Sequence, residues 1–216
     1  MNRISRSMVV AALVVTAGGC SFQGSVNATY FQYVAHNYDK KATGMGAVEM
    51  PRSVQDEVFV GKPTSFTGGG TTLSLPLGSI TREAASLAFK DVFSRGARVV
   101  ESAQGQADLA AVVRPKVIQF SYEYNQLKNA GFAITPTAVI SLSVTLVDPA
   151  GKTIWERKFD SGNFEGQTYV LSGSPGEEIS KTTHQAMMKI MQDAADAVQQ
   201  HLIANPPEPA KGEKSL

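Results

Sequence analysis

Few side chains in this sequence stand at the spacings chemistry requires, and most of those read as structural. The three histidines, His36, His184 and His201, include no two at metal-ligand spacing, and no His-Glu-x-x-His run occurs. His184 falls near the start of a helical stretch and is expected at the surface or partly packed. Gly151-Lys152-Thr153 ends like a phosphate-binding loop, but the glycine required five positions earlier is Leu146. The run also sits in a hairpin, where no helix N-terminus receives a phosphate. Gly173-Ser174-Pro175-Gly176 lacks the first glycine of a nucleophile elbow, with Ser172 in its place. The glycines 68–70 have no lysine after them and loosen a loop. Met187, Met188 and Met191 read as core filling on a helix, with a partner groove as the alternative. Trp155 reads as a cross-strand packing residue. No pair of acids is placed for general acid–base work. No catalytic residue, cofactor or metal is therefore expected. One reactive side chain is left, the thiol of Cys20, the single cysteine of the chain.

The residues before Cys20 say what that thiol is for. Arg3 and Arg6 make a short positive end, an uncharged run follows from Met8 to Ala17, and small residues lead into the cysteine. This is the layout of a secretory signal peptide. Its apolar run is far shorter than the roughly 20 residues a spanning helix needs. The ending Ala17-Gly18-Gly19-Cys20 resembles the lipobox of bacterial lipoproteins. The resemblance implies that residues 1–19 are cut away, that the Cys20 thiol is diacylated and that the new amino group is acylated. That family prefers leucine where this chain has Ala17. The competing reading is an ordinary leader cut after a small-x-small site, which leaves Cys20 a free thiol. A sole cysteine standing at the cut point favours lipidation.

Composition narrows the partners. The 216 residues carry a formal net charge of +1. Loss of a leader that holds two arginines and no acid brings the charge to −1. Such a chain has no basic footprint for nucleic acid. Residues 25–204 are long enough to fold as one domain around a core of their own. With Cys20 spent on lipid the domain has no disulfide and must rely on packing.

The elements that would position anything on this chain are read from periodicity. Residues 20–24 are expected to be a lipidated tether, and 26–35, rich in β-branched and aromatic residues, a first strand. The piece 36–70, punctuated by glycine and proline, has only Val58-Phe59-Val60 as a strand and is either a functional loop or a loose excursion. Leu73, Leu75 and Leu77 alternate into Pro76, which places that strand at an edge or ends it. Ser79 then caps a helix from about Ile80 to Ser94, stopped by Gly96. Short strands follow at 98–101 and 108–113, with Pro115 marking a bulge or edge. In 117–125 the side chains of Ile118, Phe120, Tyr122 and Tyr124 share a face. In 138–148 Ile140, Leu142, Val144 and Leu146 point inward. Asp148-Pro149-Ala150-Gly151 is a tight turn into a partner strand over 153–164. A last helix, about 177–204, buries the stripe Ile179, Thr183, Met187, Ile190, Met191, Ala194, Val198 and Leu202. Residues 205–216 read as a disordered tail.

The fold class expected is α+β: two layers, a mainly antiparallel sheet with two helices packed on one face. Several features together resemble the small outer-membrane lipoproteins of the YajG type: the first helix running into Phe93-Ser94-Arg95-Gly96, Ala107-Asp108-Leu109 opening a β run, the 148–151 hairpin and the closing helix. Auxiliary lipoproteins of transport and lipopolysaccharide export share much of the same pattern. The resemblance covers roughly residues 73–202 and implies a domain held at the periplasmic face of the outer membrane with no catalytic residues. Ser21 is not the aspartate that in this family signals inner-membrane retention. The function expected is a non-enzymatic accessory or scaffold that recruits an envelope protein partner and meets the membrane through its lipid. The rival is a carrier of lipid or another small ligand in an apolar cavity. A cell-wall-modifying enzyme would need a nucleophile or metal site that the sequence does not offer. For a partner, the surfaces to inspect are 36–70 and the 126–136 turn, where Phe132 and Ile134 are apolar.

Overall fold

The computed structural model describes residues 20–106, 108–126, 131–170 and 174–206. The leader, residues 1–19, and most of the expected tail lie outside them. In chain order the elements are β1 (Ser21–Gln23), a 3-10 turn (Ala28–Tyr30), β2 (Met45–Glu49), α1 (Arg52–Gln55), β3 (Phe59–Gly61), β4 (Thr72–Leu75) and α2 (Leu77–Phe89). Then come β5 (Ala97–Val100), β6 (Leu109–Asn125), β7 (Ala133–Val147), β8 (Thr153–Asp160), β9 (Phe164–Glu165), β10 (Tyr169–Val170) and α3 (Pro175–Ala204).

The class is α+β, but its architecture corrects the expectation of one mainly antiparallel sheet with two helices. There are two sheets and three helices among the described residues. A small sheet runs β1-β4-β3, and a large one runs β10-β7-β6-β2-β5, with β8 and β9 also bonded to β7. Both are mixed. β1 lies parallel to β4, and β2 lies parallel to both of its neighbours, β5 and β6.

The frame is the long hairpin of β6 and β7, thirteen paired positions from Val112↔Val147 to Asn125↔Thr135. Along β7 the alternation expected from the sequence holds: Ile140, Leu142, Val144 and Leu146 are fully buried, while Ser141, Ser143 and Thr145 face outward. On β6 it does not hold throughout. The register slips between Val117 and Gln119, leaving Ile118 as an extra residue at a bulge. Ile118 is thereby turned out to solvent instead of joining Tyr122 and Tyr124 in the core. Pro115 sits inside β6, two positions past the last residue paired with β2, where a missing N–H costs no ladder bond. The turn at 148–151 closes as read, with Gly151 at φ +87° donating to the Asp148 carbonyl.

The largest departure is in 36–70. β2, which the sequence did not announce, is a central strand buried on both faces, so it shows no period-2 pattern. Gly46 makes it fit: a Cβ there would lie 2.2 Å from the ring of Phe93. Of the two readings of Pro76, the second holds: β4 is the middle strand of its sheet and ends at Leu75, and Pro76 is the N-cap of α2. The helix begins three residues earlier than expected, and the Ser79 hydroxyl bonds the Gln55 carbonyl instead of capping it. Residues 26–35 form no strand but a 3-10 turn and extended chain, and the supposed tether is β1.

α3 packs along β7 and against α2, and α2 also covers β2 and β5. Its expected stripe is buried at every position from Ile179 to Leu202. This joins Phe31, Phe89, Phe93, the leucines of β4 and the inner face of β7 in one core. The layers are close-set. A Cβ on Gly78 would lie 2.0 Å from the Val54 carbonyl oxygen, which fixes how near α1 and α2 approach.

Candidate attachment site and polar strap

Cys20 is the only site residue the sequence proposed, and its thiol is free and exposed. Its position is set by β1. The Thr72 N–H donates to the Cys20 carbonyl at 3.0 Å, and the next three residues pair with Thr72, Leu73 and Ser74. Phe22 packs against Gly176 at the start of α3. Among the described residues regular structure therefore begins at Ser21, directly after the cysteine, with no spacer between Cys20 and the fold.

Beyond β1 the chain becomes a strap along α3. The Asn27 N–H donates to Nε2 of His184 at 3.2 Å, and the Tyr30 hydroxyl to Glu177 at 3.0 Å. Phe31 is buried against the His184 ring. The Gln192 amide donates to the Val34 carbonyl, and His36 Nδ1 and the Tyr38 hydroxyl share Asp196 Oδ1 at 2.8 and 2.6 Å. Gln199 then bonds the Lys40 carbonyl. Contact partners at 184, 192, 196 and 199 advance along one helical face as the strap advances. Across it, Tyr33 donates to Asp91 at the end of α2, with Lys90 over its ring. Burial, then the Asp91 bond, pushes the Tyr33 phenol up to about 12; Tyr38 is raised further by burial and Asp196.

His184 corrects the expectation of a surface or partly packed residue. It is fully buried, with Nδ1 2.7 Å from the Ser180 carbonyl. Since Nε2 accepts from Asn27, the ring is the neutral Nδ1–H tautomer donating to Ser180. Burial lowers its pKa. The ring is a structural pin, and the strap it holds was not visible in the sequence, because its partners lie about 150 residues away.

The cluster of His36, Tyr38 and Asp196 is the nearest thing to a catalytic arrangement. Asp196 holds the His36 imidazole through Nδ1, and among the described residues no serine or threonine hydroxyl and no thiol bonds that ring. No group of three or more His, Cys, Asp or Glu among the described residues could hold a metal ion. No helix among them is long and apolar enough to cross a membrane. Clefts among the described residues lie on the surface. One, of about 670 Å³, lies on the sheet face away from α3, among Glu49, Arg114, Lys116, Ser143, Glu156 and Lys158.

Of the two surfaces singled out, 36–70 contributes β2, α1 and β3 between irregular stretches, and its exposed large apolar residues are Val58, Val60 and Phe66. In the 126–136 turn, Ile134 is buried in β7 while Phe132 is 82% exposed. Residues 127–130 lie outside the described residues.

No family model matches the chain, and no curated protein matches it. Solved structures do share its fold. The chain is similar to a Xanthomonas campestris protein of a family of unknown function, DUF330, at 13% identity. That match covers 85% of this chain and 98% of that one, with a TM-score of 0.50. It is also similar to a Helicobacter pylori homologue of a neuraminyllactose-binding hemagglutinin, at 11% identity over 81% of this chain and 96% of that one, TM-score 0.51. A lipoprotein of Caulobacter crescentus matches at 17% identity over 59% of this chain and 81% of that one, with a TM-score of 0.32. The first two likenesses are of fold alone, and the third is too distant for an argument.

Proposed function

We infer that the protein is a non-enzymatic lipoprotein of the bacterial envelope, held by acyl chains on Cys20 at the periplasmic face of the outer membrane, where it recruits a protein partner. The observation that carries this reading is Cys20 itself: the one cysteine, at the end of a leader pattern, exposed and one residue ahead of the first strand. Several acyl chains on one residue hold a protein to a bilayer in effect permanently, whereas one gives marginal binding. A scaffold role is favoured over a carrier by the close-set core, and the sheet cleft among Glu49, Arg114, Ile118 and Lys158 is an open surface feature of mixed polar and apolar lining. The YajG-type kinship remains an expectation from sequence pattern, and Ser21 supports sorting to the outer membrane.

The anchor is tested by intact mass and by globomycin, which should leave the precursor uncut. A Cys20→Ser chain should lose membrane fractionation. Cleavage that is indifferent to globomycin, with an unmodified thiol at residue 20, would refute the anchor. The scaffold role is tested by crosslinking in intact envelopes and recovery from detergent. A single partner recovered in stoichiometric amount supports it, and its absence from repeated captures counts against it.

A further inference from the structure

The end of the molecule that carries Cys20 also carries its most exposed phenylalanines. Strand pairing places them together. The segment that follows β3 runs alongside the end of β6 toward the hairpin tip: the Thr64 N–H donates to the Tyr122 carbonyl, and the Ser65 hydroxyl accepts from the Tyr124 N–H. Phe66 follows at once, at the level where β6 ends, and is fully exposed. The chain turns back through Thr71, which bonds Gly68, and Thr72 lies beside Cys20. On the other side of β6, Gln126 and Gly131 close the hairpin tip, so Phe132 stands at that same end. Next to it Ala133 pairs with Val170, 62% exposed. The start of α3 is at this end too, since the Tyr124 hydroxyl donates to the Pro175 carbonyl.

Gathered at one end, two phenylalanines and a valine differ from the singly scattered apolar residues that any protein surface tolerates. The occupant follows from the missing spacer. With the Cys20 carbonyl already bonded to Thr72, only a cysteine side chain separates acyl chains on its sulfur from the fold. The bilayer surface then lies against this end and no other. We propose that Phe66 and Phe132, with Val170, form a membrane-docking face that inserts into the acyl–headgroup boundary and fixes the orientation of the anchored domain. The lipid supplies attachment, and the rings supply a second, orienting contact of the kind that interfacial residues make. The open sheet cleft and the far part of the strap, at Asp196 and Gln199, are thereby held away from lipid, available to a partner.

The proposal rests on Cys20 as the anchor, so its test attaches the lipid chemically. The mature chain from residue 20 is coupled through Cys20 to a maleimide lipid in phosphatidylcholine vesicles. Reporters are introduced by Phe66→Trp or Phe132→Trp together with Trp155→Phe. The unsubstituted chain is the internal control, because Trp155 pairs with Leu146 at the far end of β7. Tryptophan at 66 and at 132 should shift to the blue on the vesicles. Bromines on the acyl chains should quench both several-fold more than they quench Trp155. Phe66→Ser combined with Phe132→Ser, both at exposed positions that leave the core intact, should let the tethered domain reorient. That change is read as equal protection of the two ends against hydrogen exchange. Reporters at 66 and 132 that emit as in water would overturn the proposal and leave the two rings to a protein partner. Because the tether is synthetic, a chain that cells fail to acylate and a face that fails to dock give different results.

Discussion

The strap over residues 27–42 and the β6–β7–α3 body are held by different physics, although both lie on the same helix. The body is held by area. Ile140, Leu142, Val144 and Leu146 meet the α3 stripe with essentially no exposed surface, and each fully buried side chain of this size contributes about 1.5–3 kcal/mol. The strap has two buried residues, Phe31 and at its end the small Ala42, and otherwise a row of hydrogen bonds to Glu177, His184, Gln192, Asp196 and Gln199. A hydrogen bond nets only about 0.5–1.5 kcal/mol because water competes for both partners. Burial is indifferent to pH, whereas His184 and the phenols are not. The same helix thus holds one neighbour permanently and the other conditionally.

Four measurements would sharpen or break that contrast. Ile140→Ala in the body should cost about 2–5 kcal/mol, read as a lowered urea midpoint with the slope unchanged. Phe31→Ala should cost less in global stability, because once the strap lets go no further contact is lost. Its signature should be faster proteolysis within residues 27–42. An equal loss of global stability in the two variants would show that the strap is part of the body.

The third measurement is pH. His184 is neutral when docked and its pKa is lowered by burial, so the released state binds more protons. Docking is then fully present above the ordinary histidine value of 6.5 and is lost as pH falls below it. A proton on Nε2 would face the Asn27 N–H, and Glu177, bonded to Tyr30 close by, tempers but does not replace that lost acceptor. Hydrogen exchange of the strap amides, corrected for intrinsic rate, should rise between about pH 7 and pH 5. His184→Gln should abolish the change. At the other extreme Tyr33 is raised, so its contribution is present below pH 10.0 and fades as pH climbs toward about 12. The smallest effect belongs to the solvent face of the body. Lys189→Ala removes an exposed pair with Asp193, one turn along α3, and should shift stability by about 0.3–0.5 kcal/mol.

The body was legible in the sequence because its signals are local. β7 alternates, α3 repeats its apolar residues at helical spacing, and the 148–151 turn carries its own residues. Misreadings fall where a distant residue decides. β2 is made a strand by Phe93 and Gly46 and by partners on both sides, so it shows neither alternation nor length. Ile118 fits the alternation of β6 and is expelled by a bulge that only the register with β7 reveals. His184 looked peripheral because the residues that enclose it, Asn27, Tyr30 and Phe31, are about 150 positions earlier.

Sequence alone determined the chemical endowment of this protein: one cysteine behind a leader pattern, a domain without cross-links, an amphipathic closing helix and a hairpin. Those depend on covalent identity and short-range periodicity, which no tertiary contact alters. Tertiary structure decided everything that depends on juxtaposition. It turned the presumed tether into β1, split the strands into two mixed sheets and buried a histidine as a pin. It also brought Phe66 and Phe132, 66 positions apart in the chain, to the end that carries Cys20. Strand register sets such distances, and register is written in packing between segments rather than within any one of them.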